Sequence, residues 1–149
     1  CISPLNLGHF DVVYSAHLLN YFKNEHDLLK AYKSMYDQTK YGGFSAGVMV
    51  NPDMYYIYDI HDYSIYRKYG FQPRIIDKFS MPIVVEYDLF YENKHLLSFE
   101  NFIWQREFHE KQILKAGFRN FEWINPILDS NFEDVNGFFD VFLKFPPTS

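Results

Sequence analysis

Two apolar runs, Phe10-Asp11-Val12-Val13-Tyr14 and Phe44-Ser45-Ala46-Gly47-Val48-Met49-Val50, bracket a segment whose apolar positions recur at helical spacing. Leu28, Ala31, Tyr32 and Met35 fall at i, i+3, i+4 and i+7, one stripe for packing on a sheet. Asn24 suits an N-cap, and Asp27 three residues on completes a capping-box pattern. The helix is expected over 25–39, with Gly42 taking the left-handed position past its end. Strand, helix, tight turn and strand make the unit of parallel sheets. Ligands of such sheets sit at the carboxyl ends of the strands, so Tyr14 to Tyr21 and Asn51 to Tyr55 form the expected functional edge.

Beyond Asn51 the pattern changes. Tyr55, Tyr56, Tyr58, Tyr63, Tyr66 and Tyr69 crowd one stretch, which predicts an irregular or partly helical aromatic cover. The runs 82–90 and 95–104 partly alternate apolar with polar residues and flank Glu92-Asn93-Lys94, the signature of a hairpin with one wet face. Positions 105–116 read as a helix with His109, Ile113 and Ala116 on one side, stopped by Gly117. Phe121-Glu122-Trp123-Ile124 is an expected strand closed by Asn125-Pro126. The apolar tail 138–145, ahead of Pro146-Pro147, reads as either a final strand or a short helix, the helix being the reading preferred.

Composition sharpens this picture at three points. Of 149 residues, 48% are hydrophobic and 21% aromatic, enough for one folded domain and far from a disordered composition. The net charge of −5 is spread as 14 basic among 19 acidic residues without a basic run, which argues against a nucleic-acid partner. The lone Cys1 forms no internal disulfide, no apolar run reaches the roughly 18 residues of a membrane span, and no leader pattern is present. A cytoplasmic protein without a membrane partner is expected.

The residues resemble a known family. Phe-Asp-Val-Val at 10–13, Ala-His-Leu-Leu-Asn-Tyr at 16–21, a helix closing on Thr39-Lys40-Tyr41-Gly42-Gly43, and Lys115-Ala116-Gly117-Phe118 occur in the order seen in the second half of a class I S-adenosylmethionine-dependent methyltransferase. The resemblance covers most of the chain and implies an α/β fold: a partial Rossmann-like methyltransferase sheet holding the family's fourth, fifth and sixth strands, with an antiparallel β-hairpin insertion at about 79–104 as substrate cover. Tyr41 stands where the family usually carries proline. The family's glycine-rich cofactor turn and its ribose-holding acidic residue do not precede Phe10 in these residues, so 1–149 reads as the C-terminal part of one domain. Such a piece is expected to be inactive by itself and to self-associate along the open edge of its first strand.

The resemblance implies S-adenosylmethionine as cofactor, with Ser15, Ala16 and His17 contacting its methionine part and Leu18 and Leu19 flanking the adenosine. Leu18 and Leu19 would equally serve to pack beneath the following helix. A small-molecule methyl acceptor is implied, with Tyr21, Asn51, Tyr55, Tyr58 and Trp104 as candidate substrate contacts. Those aromatics would otherwise simply cover the sheet. Methyl transfer depends chiefly on holding two ligands in line, so no catalytic constellation is required. His17 and Tyr21 are the candidates for handling a proton of the acceptor, set against an exposed histidine and a core tyrosine. No metal site is expected: the nearest grouping, His61 with Asp59 and Asp62, reads as a solvated loop. No Gly-x-Ser-x-Gly or phosphate loop supports a hydrolase or kinase. The alternative is a non-catalytic binding module on a degenerate methyltransferase fold. A nicotinamide-dependent oxidoreductase would need a glycine fingerprint upstream, and Ala116-Gly117-Phe118 counts against it.

Overall fold

The computed structural model describes residues 7–56 and 64–124. Its first unit is strand β1 (Phe10–Ala16), helix α1 (Glu25–Gln38) and strand β2 (Thr39–Val48). The strands pair in parallel, with Val12 opposite Phe44, Tyr14 opposite Ala46 and Ala16 opposite Val48. The N-cap of α1 forms as expected, with Asn24 Oδ1 accepting the Asp27 N–H at 2.9 Å, while the Asp27 carboxylate takes its bond from the Asn24 side-chain Nδ2 at 2.9 Å rather than from the backbone N–H of a capping box. Such a cap stabilises a helix by about 1 kcal/mol. Leu28, Ala31 and Tyr32 are buried on the inner stripe, and Met35 packs at its margin.

The helix ends earlier than glycine placement suggests. Thr39 is already extended, its N–H donates to the Tyr36 carbonyl, and its hydroxyl donates to the Met35 carbonyl at 2.7 Å. The side chain of Thr39, rather than Gly42, therefore closes α1. Gly42, at φ +83°, lies inside β2, where the register against β1 is irregular. Gly43 serves a close approach, since a Cβ there would lie 2.7 Å from the Asp11 carbonyl oxygen.

A short helix α2 (Asp53–Tyr56) and a 3-10 turn (Ser64–Tyr69) lead to an antiparallel sheet of β3 (Phe71–Asp77), β4 (Ile83–Tyr91) and β5 (Lys94–Ile103). The hairpin tip is tighter than its three polar residues suggested: Glu92 and Asn93 both take positive φ, as a two-residue type I′ turn requires. The third strand, β3, extends the cover to Phe71. Pro73 is tolerated in it because β3 is an edge strand, where the missing N–H can face away from the ladder. Alternation sorts the faces. Ile75, Val85 and Tyr87 point to the inner side, while Arg74, Glu86, Asp88 and Ser98 lie on the outer one, with Arg74 paired to Glu86 and Ser98 donating to Asp88 at 2.6 Å.

Helix α3 (Arg106–Ala116) follows, closed by Gly117 in the left-handed region, and packs on α1. One core joins Leu19, Leu28, Tyr32, Trp104 and Ala116; a second joins Tyr55, Ile83, Val85, Tyr87 and Ile103. The strand expected at 121–124 does not form. Trp123 instead donates to Glu110 Oε1 at 2.9 Å beneath the Arg106 guanidinium, so this segment is drawn onto α3 rather than into a ladder. The expected tail helix at 138–145 and the His61 grouping lie outside the described residues. One row of the parallel pair is left open: Tyr14 and Phe44 are 62% and 60% exposed, beside exposed Val12 and Val48. No described helix is long and apolar enough to cross a membrane.

Candidate functional site

The carboxyl end of β1 turns sharply at His17, whose φ of 51° is unusual for a residue with a side chain. Its N–H donates to the Val48 carbonyl at 2.7 Å, which ties the turn to the end of β2. The chain then makes a 3-10 turn, Leu19–Tyr21, anchored by Leu19 in the first core. Tyr21 projects the other way and stacks on Phe99 of β5, ring centroids 6.0 Å apart. The turn thus bridges the two sheets.

Between it and the inner face of the antiparallel sheet lies a cavity of about 350 Å³. Its walls include His17, Tyr21, Tyr55, Tyr87, Phe99 and Asn101. Phe99 lies nearly parallel to Tyr87, with centroids 5.6 Å apart and planes 12° off parallel. The hydroxyls of Tyr55 and Tyr87 are 2.6 Å apart and hydrogen-bonded. Helix α2, which carries Tyr55, is held from α3: Arg106 Nη2 donates to Asp53 Oδ2 at 2.6 Å. Burial pushes the Tyr56 hydroxyl up in pKa, and it donates to the Ile103 carbonyl at 2.8 Å, a second tie beside the cavity.

The structure brings together three of the sequence candidates, His17, Tyr21 and Tyr55, on one wall system. Asn51 stands at the entry to α2, its side-chain oxygen accepting the Asp53 N–H at 3.0 Å, and does not line the cavity. Trp104 packs in the first core and is not among the residues lining the cavity. It is 5% exposed, stacks on Phe108 at 4.2 Å and donates to the Phe22 carbonyl at 2.8 Å, because it follows β5 at the point where the chain enters the α1–α3 interface. Tyr58 lies outside the described residues.

Of the loop residues, Ala16 and Leu18 are exposed, Ser15 is buried, and Leu19 is committed to the core. Two buried groups here have no hydrogen-bond partner among the described residues: Ser15 Oγ and Asn20 Nδ2. Asn20 and Asn101 escaped sequence reasoning. The signal for Asn101 was available in the alternation of β5, which puts it on the same face as Phe99 and Ile103. Among the described residues no group of three His, Cys, Asp or Glu side chains could hold a metal.

No family model matches the chain, and no curated protein matches it. Among solved structures it is similar to an S-adenosylmethionine-dependent methyltransferase from Clostridium acetobutylicum ATCC 824, at 14% identity and a TM-score of 0.48, over 74% of this chain and 48% of that one. The chain spans about half the length of that protein.

Proposed function

We propose that this chain is the C-terminal part of a class I S-adenosylmethionine-dependent methyltransferase acting on a small molecule. The observation that carries the reading is the carboxyl end of β1, where a strained turn tied to β2 opens directly onto an aromatic cavity. In this assignment β1 and β2 are the family's fourth and fifth strands, and the antiparallel sheet is the acceptor's cover.

The loop fits the cofactor in its chemistry. Ser15 Oγ and Asn20 Nδ2 are buried polar atoms without partners among the described residues, which suits a ligand rich in amino, carboxylate and hydroxyl groups. Leu18 offers exposed apolar surface to an adenine ring, whereas Leu19 is unavailable. When bound, the cofactor would supply an electrophilic sulfonium methyl for direct displacement by the acceptor's lone pair, with S-adenosylhomocysteine as the leaving group. The aromatic walls hold the acceptor and exclude water from it, which is where orientation contributes most. His17, on the cavity wall, is placed to take an acceptor proton at its imidazole. The proposal puts the protein in the cytoplasm, without nucleic-acid or membrane partners.

The alternative, a non-catalytic module on the same fold, is separated by titrating S-adenosylhomocysteine into this chain and into the natural polypeptide extended upstream of Cys1, with sedimentation in parallel. Binding by the extended chain alone, with association of the short one through its Tyr14–Phe44 face relieved, is the expected result. Binding by neither favours the module. Binding by both would overturn the division of the cofactor site while leaving methyl transfer standing.

A further inference from the structure

The inner face of the antiparallel sheet is apolar or aromatic except at one position. Asn101 sits opposite Val85 and between Phe99 and Ile103 on that face, is 6% exposed, and lines the cavity. Its side-chain oxygen has no hydrogen-bond partner among the described residues. A buried carbonyl left without a donor is costly, so the cavity's occupant is the natural source of the missing donor.

The other walls restrict that occupant further. Among the described residues the lining holds no carboxylate, lysine or arginine, so an ionised ligand would find no permanent countercharge among them. Tyr87, Phe99 and Tyr21 form a run of near-parallel rings, Tyr87 to Phe99 at 12° and Phe99 to Tyr21 at 28°. Such a run accommodates a flat ring in stacked register better than a tetrahedral group. The Tyr55 and Tyr87 hydroxyls already bond to each other, which leaves the carboxamide as the deep polar feature of this wall.

We propose that the cavity binds an uncharged planar aromatic compound carrying an N–H or O–H group, with that group donating to Asn101 Oδ1. This rests on the methyl-transfer reading only in calling the ligand the acceptor; the binding itself needs no cofactor.

The test compares indole with benzofuran, a ring of nearly the same shape without the donor, titrated into the 149-residue chain in the absence of cofactor. Indole is expected to bind at least tenfold more tightly, the usual worth of one hydrogen bond to a buried group. In Asn101→Leu the two compounds should bind within about twofold of each other. The wild-type comparison stands even if the variant fails to fold. Equal affinity of the two compounds for wild type, retention of the preference in Asn101→Leu, tighter binding of tetramethylammonium than of indole, or no binding of either ring at millimolar concentration would each overturn the proposal. Failure of S-adenosylhomocysteine to bind the upstream-extended polypeptide would instead count against methyl transfer and leave this result untouched.

Discussion

Replacing Trp104 by alanine is expected to destabilise the fold by about 3–5 kcal/mol, the usual range for truncating a buried tryptophan. The indole fills the space where β5 hands over to α3, and it packs with Leu19, Leu28, Tyr32 and Ala116. Its removal opens a void between α1 and α3 and strands the Phe22 carbonyl that its N–H now satisfies at 2.8 Å. Trp104→Phe keeps the stack on Phe108 and loses only the donor and part of the volume, so about 1–2 kcal/mol is expected from it. Urea unfolding followed by far-ultraviolet circular dichroism at pH 7 reads both. A loss below about 1 kcal/mol for Trp104→Ala would mean that the residue is not part of the core and would restore it as a cavity wall.

Acidification is expected to weaken the chain well above the carboxylate range. His109, 2% exposed on α3, sits with Nδ1 2.9 Å from the Tyr32 hydroxyl of α1, and burial pushes its pKa down from 6.5 to about 4. Burial raises the pKa of Tyr32, so its hydroxyl stays protonated beside the neutral imidazole. Above pH 6.5 both folded and unfolded forms carry a neutral ring, and the group costs nothing. Between 6.5 and 4 the unfolded chain binds a proton that the folded one refuses, so stability falls as pH falls; below 4 the loss is complete. From pH 7 to pH 5 the loss attributable to His109 is about 2 kcal/mol. The carboxylates held low, Glu25 by Lys115, Asp27 by Asn24 and Asp88 by Ser98, run in the same direction but in a lower window, because their stabilisation persists until pH falls through their own depressed values. His109→Gln should therefore flatten the stability profile between pH 7 and 5. An unchanged slope in that variant would show that the imidazole is protonated in the folded state.

Local chemistry explains which features could be read in advance. The strand–helix–strand unit was legible because Asn24, the Leu28–Met35 stripe and the two apolar runs all point to the same structure. The end of α1 was misread because a Gly-Gly pair is a stronger sequence signal than a threonine that turns its hydroxyl back to the preceding turn. Strand β3 was hidden by Pro73, whose tolerance depends on an edge position that only the assembled sheet defines. Residues 121–124 have strand propensity, yet a ladder also needs a neighbour, and Trp123 found Glu110 and Arg106 first.

The cavity follows the same logic. Tyr21 and Tyr55 were accessible as aromatics at the expected sheet edge, while Trp104 shows that an aromatic residue near that edge can equally belong to the core. Asn101 is the instructive omission. Its position within the alternation of β5 was fixed by the sequence of that strand, but its meaning depends on the lack of a donor among the described residues, which only three-dimensional packing reveals.

The central claim is that S-adenosylmethionine is held at the turn after β1. The most direct measurement is backbone amide chemical-shift mapping as S-adenosylhomocysteine is added to the upstream-extended polypeptide. The account predicts that the largest shifts fall on Ser15 to Tyr21, with smaller ones on Val48 to Asn51. Saturable binding that leaves Ser15 to Tyr21 unmoved, or no saturable shift anywhere, would contradict it.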